Sequence, residues 1–213
     1  MAIPRSPQSR LTAAHAGCLP AKLAVSRTPL RGGLKLLHSD GLIEISMHRG
    51  AQVLAYTAEE ALDLFELISV LESLAAERLA RRIPKGVMMR LEALHSRMLE
   101  QFDDRDASTY FDTTTEIHET IVSAAGNPVL SDSHKRVMAR TKRGRFLAIF
   151  DRDRLQRSVN EHEALMQACR SRDPIKAAQV WRTHLGNTGA TVATVLRGAS
   201  AHHGPEVASG LTE

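Results

Sequence analysis

From Thr57 to about residue 197 the sequence repeats one pattern, in which apolar residues recur at helical spacing between short start and stop signals. The first segment opens on a capping box formed by Thr57 and Glu60, which predicts a helix start. Pro84, the Gly-Asn-Pro stretch at 126–128 and the Asp-Pro pair at 173–174 mark later boundaries. Because the connections are short, neighbouring helices are expected to be antiparallel. The pattern predicts an all-α six-helix antiparallel bundle over residues 57–197.

A shorter pattern precedes the bundle. Ser26 is a good N-cap, Pro29 falls in the first turn, and Asp40-Gly41 is a helix stop. The segments LIEI and AQVLA, separated by the polar SMHRG, are typical of two short strands around a turn. Together with a helix-like but interrupted segment before Ser26, this order predicts a partial winged helix-turn-helix over residues 11–56. Residues 1–10 and 198–213 are predicted to be disordered.

Charge is unevenly placed along the chain. Residues 1–50 carry seven Lys/Arg and two acidic residues, whereas the remainder carries 21 basic and 22 acidic residues. A basic N-terminal part on a near-neutral body suggests a module that binds a polyanion, although charge alone equally allows a basic tail without function. Two cysteines and no long apolar run favour a protein of the reducing cytosol.

The basic segment contains candidates for DNA contact. Arg27 and Arg31 are four residues apart, so they share one face of the predicted helix. With Thr28 they could contact phosphates and base edges in a major groove, and Arg49 lies in the hairpin turn, where wings reach the DNA backbone. A solvated basic face is the alternative interpretation. The predicted DNA-binding set is Ser26, Arg27, Thr28, Arg31, Lys35 and Arg49.

Three histidines lie beside apolar stripes on three different bundle helices: His118, His162 and His184. Three imidazoles that converge inside a bundle can bind Zn²⁺ or a similar divalent ion. Taken singly, each histidine is more often a core or surface residue. Thr114 lies one turn before His118, where a fourth ligand is expected, and its hydroxyl is a poor ligand for such metals.

The motifs also resemble a known family. VSRTPLR, followed by Leu34, DGLIEI and RGAQV, resembles the DNA-binding domain of GntR-type transcriptional regulators. TAEEALDLFELISVLESLAAERLA, IHETIVSAAGNPVL and NEHEALMQACRSRDPIKAAQVWRTHL resemble the FCD ligand-binding domain, in its fatty-acid-regulator-like branch. The resemblance covers about residues 22–195.

The resemblance implies a homodimeric bacterial repressor or activator that binds a palindromic operator and responds to a small carboxylate. It also implies a divalent metal, here Zn, Ni or Mn, held by an acid and three histidines, which match His118, His162 and His184. The acid position falls on Thr114, so the metal is expected either to be held more weakly, by three histidines and water, or to be absent. The effector-binding candidates implied by the family are Thr114, Arg140 and Arg143.

The N-terminal part departs from the family pattern. The first helix of the winged domain is missing or shortened, and Arg31-Gly32-Gly33-Leu34 stands where the family has Arg-Glu-Ala-Leu. Two functions follow as hypotheses: a metabolite-responsive DNA-binding regulator, or a ligand-binding and metal-binding dimeric module whose DNA-binding half is degenerate. A metal-dependent enzyme is a third, disfavoured because no general base is apparent beside the histidines and the sequence contains no enzyme motif. We expect a protein that is not an enzyme.

Overall fold

The computed structural model describes residues 26–46, 50–54 and 56–201, which fall into two compact units divided between Tyr56 and Thr57. The predictions for residues 1–25 and 202–213, and for Arg49, lie outside the described residues. Within the described ranges, no helix has both the length and the hydropathy needed to cross a membrane.

Over residues 26–46 and 50–54, the first unit contains one helix and one hairpin. Helix α1 (Arg27–Ser39) is followed by strands β1 (Ile43–Ser46) and β2 (Gly50–Val53), which pair antiparallel. Gly41 has a φ of 71°, so the predicted helix stop takes the left-handed conformation that glycine allows. Ser26 occupies the N-cap position with an extended backbone, but its side chain accepts no hydrogen bond there.

Over residues 57–201, the second unit contains six helices, which confirms the predicted mainly α architecture. The last helix continues to Ala201, so residues 198–201, predicted to be disordered, are helical. The helices are α2 (Ala58–Arg81), α3 (Lys85–Asp103), α4 (Ala107–Ala124), α5 (Pro128–Ala148), α6 (Arg152–Arg170) and α7 (Pro174–Ala201).

Local capping explains where five of these helices begin. In each, a polar side chain accepts a hydrogen bond from a backbone N–H three residues later, over 2.7–3.2 Å. Such a bond satisfies one of the donors that a helix start leaves unpaired. The capping residues of α2, α4, α5, α6 and α7 are Thr57, Asp106, Asn127, Asp151 and Asp173.

Helices α2 and α7 approach each other closely at Gly189. A Cβ atom added to this glycine would lie 2.5 Å from Phe65 Cβ, so only glycine fits. Three leucines of α2 lie outside its buried face: Leu62, Leu67 and Leu74 are partly exposed at 39–48%. The buried positions of α2 include the polar residues Ser69, Glu72 and Ser73.

Candidate metal centre

The three predicted histidines converge in the second unit. His118 on α4, His162 on α6 and His184 on α7 are all buried, and one ring nitrogen of each lies within 4.8 Å of the others. Their ring centroids are 4.7–5.9 Å apart. Three nitrogen donors at this spacing suit a divalent ion of the zinc type.

The hydrogen bonds of two rings leave the same nitrogen free. His118 Nδ1 bonds to a carboxylate oxygen of Glu72, and His162 Nδ1 donates to the carbonyl oxygen of Ser158 over 2.8 Å. The Nε2 atoms of His118 and His162 are buried and have no hydrogen-bond partner. Buried polar atoms are rarely left unpaired, and metal-binding histidines commonly donate their other nitrogen to a carboxylate or carbonyl. These two orphaned atoms therefore fit a bound metal.

The third ring follows the same arrangement. His184 Nδ1 lies 2.7 Å from Glu161 Oε2 and donates to it. Arg154 Nη2 lies 3.0 Å from the same nitrogen, but an arginine cannot accept a proton and itself donates to Glu161 over 2.5 Å. The His184 ring thus keeps its proton on Nδ1, which leaves Nε2 as its available ligand atom.

Burial determines the charge of the three imidazoles. It lowers the pKa of His118 to about 3, although Glu72 acts in the opposite direction. It lowers the pKa of His184 to about 4 and that of His162 well below its usual range. All three rings are therefore neutral near pH 7, which is the form that binds metal ions.

Glu72 lies behind His118 and is fully buried on α2. It accepts hydrogen bonds from His118, from His134 Nε2 over 3.0 Å and from Trp181 Nε1 over 2.8 Å. Burial raises the pKa of Glu72, but its interactions with His118 and His134 outweigh burial and hold its pKa well below the usual value. Glu72 is therefore ionised.

Two arginines line the same cavity. The guanidinium of Arg154 donates to Glu161 and Thr188, yet its Nη1 atom is buried without a partner. Arg145 is also buried; it contacts Met138 Sδ at 3.2 Å and lies 5.6 Å from the ring centroid of Phe111. Burial lowers the pKa of Arg145. Neither contact of Arg145 supplies a negative charge, so this side of the cavity suits an anion.

The cavity is small. Its free volume is about 30 Å³, which is room for about two water-sized species. Thr114 lines it and donates from Oγ1 to the carbonyl of Phe111 over 3.0 Å, so its hydroxyl proton does not point at the histidines.

The other two predicted effector residues lie elsewhere. Arg140 bonds to Glu60 at the start of α2, and Arg143 is exposed; neither lines the cavity, which is lined by Arg145 and Arg154 instead. Helix rotation is the reason, since positions 140 and 143 are turned by roughly 140° and 160° from Arg145 at about 100° per residue.

Sequence reasoning also missed the carboxylates behind the histidines. Glu72 follows Phe65 and Ile68 at helical spacing and precedes Leu79 by seven residues, so its place on an apolar stripe was a usable signal. Glu161 directly precedes His162, and its contact with His184 depends on the packing of α6 against α7.

The DNA-binding candidates lie in the first unit. Thr28, Arg31 and Lys35 are exposed on α1, and Ser26 is exposed just before it. Arg27 is the first residue of α1. Arg31 and Lys35 are four residues apart and so share one face of the helix.

A family model for the FCD domain matches residues 63–187, which contain all three histidines. The chain belongs to the FCD family. The resemblance to FCD-type regulators seen in the sequence is thereby confirmed.

The curated relatives of this FCD protein include proteins named as transcriptional repressors. The gluconate operon transcriptional repressor of Bacillus licheniformis is 27% identical over 165 residues, covering 73% of this chain and 65% of the relative. The HTH-type transcriptional repressor GlaR of Escherichia coli (strain K12) is 25% identical over 183 residues, covering 78% and 80%. The chain therefore spans slightly less than two thirds of the first relative's length.

Among solved structures, E. coli McbR/YncC superposes with a TM-score of 0.70 at 15% identity, covering 87% of this chain and 86% of that one. At this level of identity the likeness concerns the fold.

Proposed function

We propose that this FCD protein is a metabolite-responsive, DNA-binding transcriptional regulator whose effector is a small carboxylate bound in the bundle with a divalent metal. The observation that carries the proposal is the convergence of three neutral, buried histidines beside two buried arginines. The names of its curated relatives, which are transcriptional repressors, support the same function.

The metal would be held by the Nε2 atoms of His118, His162 and His184, with Zn²⁺, Ni²⁺ or Mn²⁺ as candidates. When bound, the ion supplies a concentrated positive charge that attracts an anionic oxygen. Three nitrogen ligands leave coordination positions for water or for the effector. The metal anchors the effector, and we propose no catalytic step.

The arginines would recognise the remainder of the effector. Arg145 has no carboxylate within hydrogen-bond reach among the contacts described for it, and Arg154 has a free buried donor in Nη1. Guanidinium groups bind carboxylates by charge-assisted hydrogen bonds. An effector carboxylate would satisfy both groups, with Thr114 contributing to the cavity wall.

The first unit would contact the operator through α1. Thr28, Arg31 and Lys35 are exposed there, and Arg27 begins the same helix. A palindromic operator and a homodimer follow from the family resemblance, as does a place in the bacterial cytoplasm on the nucleoid. Effector binding would alter the equilibrium between two arrangements of the dimer and hence the affinity for DNA.

Fluorescence anisotropy on DNA from upstream of the gene tests this function. We expect the logarithm of affinity to fall linearly with the logarithm of salt concentration. Arg31→Gln should weaken binding and reduce that slope by about one, whereas Arg136→Gln, which removes an exposed charge from the bundle, should change neither. Weak binding of the same strength to unrelated DNA would refute the proposal.

A specific observation favours a second candidate, a ligand-binding module without specific DNA binding. Gly32 and Gly33 lie in α1, and a Cβ added to either would meet no atom within 4 Å, so no close contact requires glycine. Two glycines inside a helix destabilise it by about 2 kcal/mol relative to alanine. Metal binding by the bundle without sequence-specific DNA binding would favour this candidate.

A further inference from the structure

Glu72 is the only buried acidic side chain among residues 26–46, 50–54 and 56–201. Its two oxygens have different partners. Oε2 accepts from His118 Nδ1 and Trp181 Nε1, and Oε1 accepts from His134 Nε2. Through these bonds, α2 is joined to α4, α5 and α7 at one carboxylate.

Burying a carboxylate is unfavourable unless donors surround it, and here three donors do so. An uncharged acceptor could take the same three hydrogen bonds. Only a carboxylate adds negative charge, and this charge lies directly behind the ring of His118, whose Nε2 atom is buried without a partner.

The direct ligands of the proposed metal supply no charge. The three imidazoles are neutral, and Thr114, which lies one turn before His118 on the cavity wall, is uncharged as well. A divalent ion among neutral ligands and two arginines needs negative charge nearby to be stable. Glu72 supplies part of it through one hydrogen bond to His118, as Glu161 does behind His184.

We propose that Glu72 is a positioning residue for the metal: it holds His118 with Nε2 turned toward the ion, strengthens that nitrogen as a ligand, and connects the site to α5 through His134. The inference rests on the metal site of the proposed function. The alternative is that Glu72 only satisfies buried donors, as part of the core.

Three variants separate these roles, with zinc affinity measured by competition against a chromophoric chelator. In Glu72→Gln, the new amide oxygen can accept from His118 and Trp181, and its NH₂ group can donate to His134 Nε2 once that ring carries its proton on Nδ1, so the three contacts are kept and the charge is lost. We expect about 10–100-fold weaker zinc binding.

His134→Leu removes a different partner of Glu72 and leaves the His118 bond intact. We expect it to lower the melting temperature of the zinc-free protein. Zinc affinity should stay within about threefold of wild type, well below the loss of about 10–100-fold expected when the partner of a metal ligand is changed. Glu66→Gln, the same substitution at an exposed position of α2, should change neither quantity. Equal losses of zinc affinity in Glu72→Gln and His134→Leu, or no loss in Glu72→Gln, would overturn the proposal.

A measurement on the wild type remains decisive if Glu72→Gln does not fold. Nitrogen-15 NMR of the histidine rings should find the His118 proton on Nδ1 and, after zinc addition, a metal-bound Nε2. A proton on Nε2 of His118 in the zinc-free protein would overturn the role of Glu72. A wild-type protein that binds no zinc would overturn the metal site and this inference together, whereas a zinc-binding wild type matched by Glu72→Gln overturns this inference alone.

Discussion

The indole of Trp181 stacks on the imidazole of His184, with ring centroids 4.6 Å apart and an angle of 13° between the two planes. Trp181 also lies 4.7 Å from the ring of His118 and 5.0 Å from that of His162. It is the only tryptophan in the chain. Indole fluorescence therefore reports on the proposed metal site directly.

Ni²⁺ should quench the fluorescence of Trp181 in a saturable way, because a paramagnetic ion held by the three histidines would lie close to the indole. His162→Ala should abolish saturable quenching, since it removes one of three nitrogen ligands. His38→Ala, which removes a histidine of the first unit, should leave the titration unchanged. Saturable quenching that persists in His162→Ala would contradict the assignment of the ligands.

Thr114→Asp should tighten zinc binding by about tenfold or more, equivalent to about 1.4 kcal/mol, because it places a charged oxygen ligand on the cavity wall one turn before His118. The same variant should be less stable without zinc, because its new carboxylate is buried. Thr115→Asp, at the adjacent position outside the cavity lining, serves as the control. Zinc competition and thermal unfolding measure both effects, and equal affinities of the two variants would refute the expectation.

Gly189→Ala should destabilise the bundle by about 1–3 kcal/mol, because its Cβ would overlap Phe65, 2.5 Å from Cβ and 2.9 Å from Cγ. Gly186→Ala lies one turn earlier in α7, where an added Cβ meets nothing within 4 Å. That variant should be neutral or more stable by up to about 1 kcal/mol. Urea unfolding followed by circular dichroism distinguishes them; similar midpoints would show that α2 and α7 are not so closely packed.

Replacing Gly32 and Gly33 together by alanine should stabilise α1 by about 2 kcal/mol, since alanine is the better helix former and both sites have free space. Hydrogen exchange of the α1 amides should slow accordingly. Gly41→Ala is the opposite control, because Gly41 has a φ of 71° and a side chain there is strained. Faster exchange in the double alanine variant would mean that the glycines have a structural role.

The thiol of Cys169 should react slowly with alkylating reagents in the native protein. Burial raises its pKa to about 11, so the thiolate is about one part in ten thousand at pH 7. An unfolded cysteine, with a pKa near 8.5, carries about three hundredfold more thiolate. In a Cys18→Ser background, iodoacetamide should modify the unfolded chain at least about a hundredfold faster than the native one. Comparable rates would contradict the burial of Cys169.

The helices of the bundle could be predicted because residues close in sequence determine where each helix begins. Thr57, Asn127 and Asp173 each cap a helix through a hydrogen bond to a backbone N–H three residues later, so the signal and its effect lie within one turn. Helix spacing likewise indicated that His118, His162 and His184 could face inward, since each adjoins an apolar stripe.

The remainder of the site depends on packing between helices, which spacing does not encode. The arginines of the cavity are Arg145 and Arg154, whereas Arg140 and Arg143, on the same helix as Arg145, face away from it. A buried Glu72 contradicts the usual exposure of glutamate, and it becomes intelligible only when its three donors from other helices are known. These contacts join residues far apart in the sequence.

The contact between Phe65 and Gly189 has a mechanical consequence for signalling. Where the ring lies against backbone, no flexible side chain can absorb a displacement, so we expect α2 and α7 to move together. These two helices carry Glu72, Trp181 and His184. His118, His162 and Arg145 belong to α4, α6 and α5, so under the proposed function we expect a bound effector to displace these three helices relative to α2 and α7.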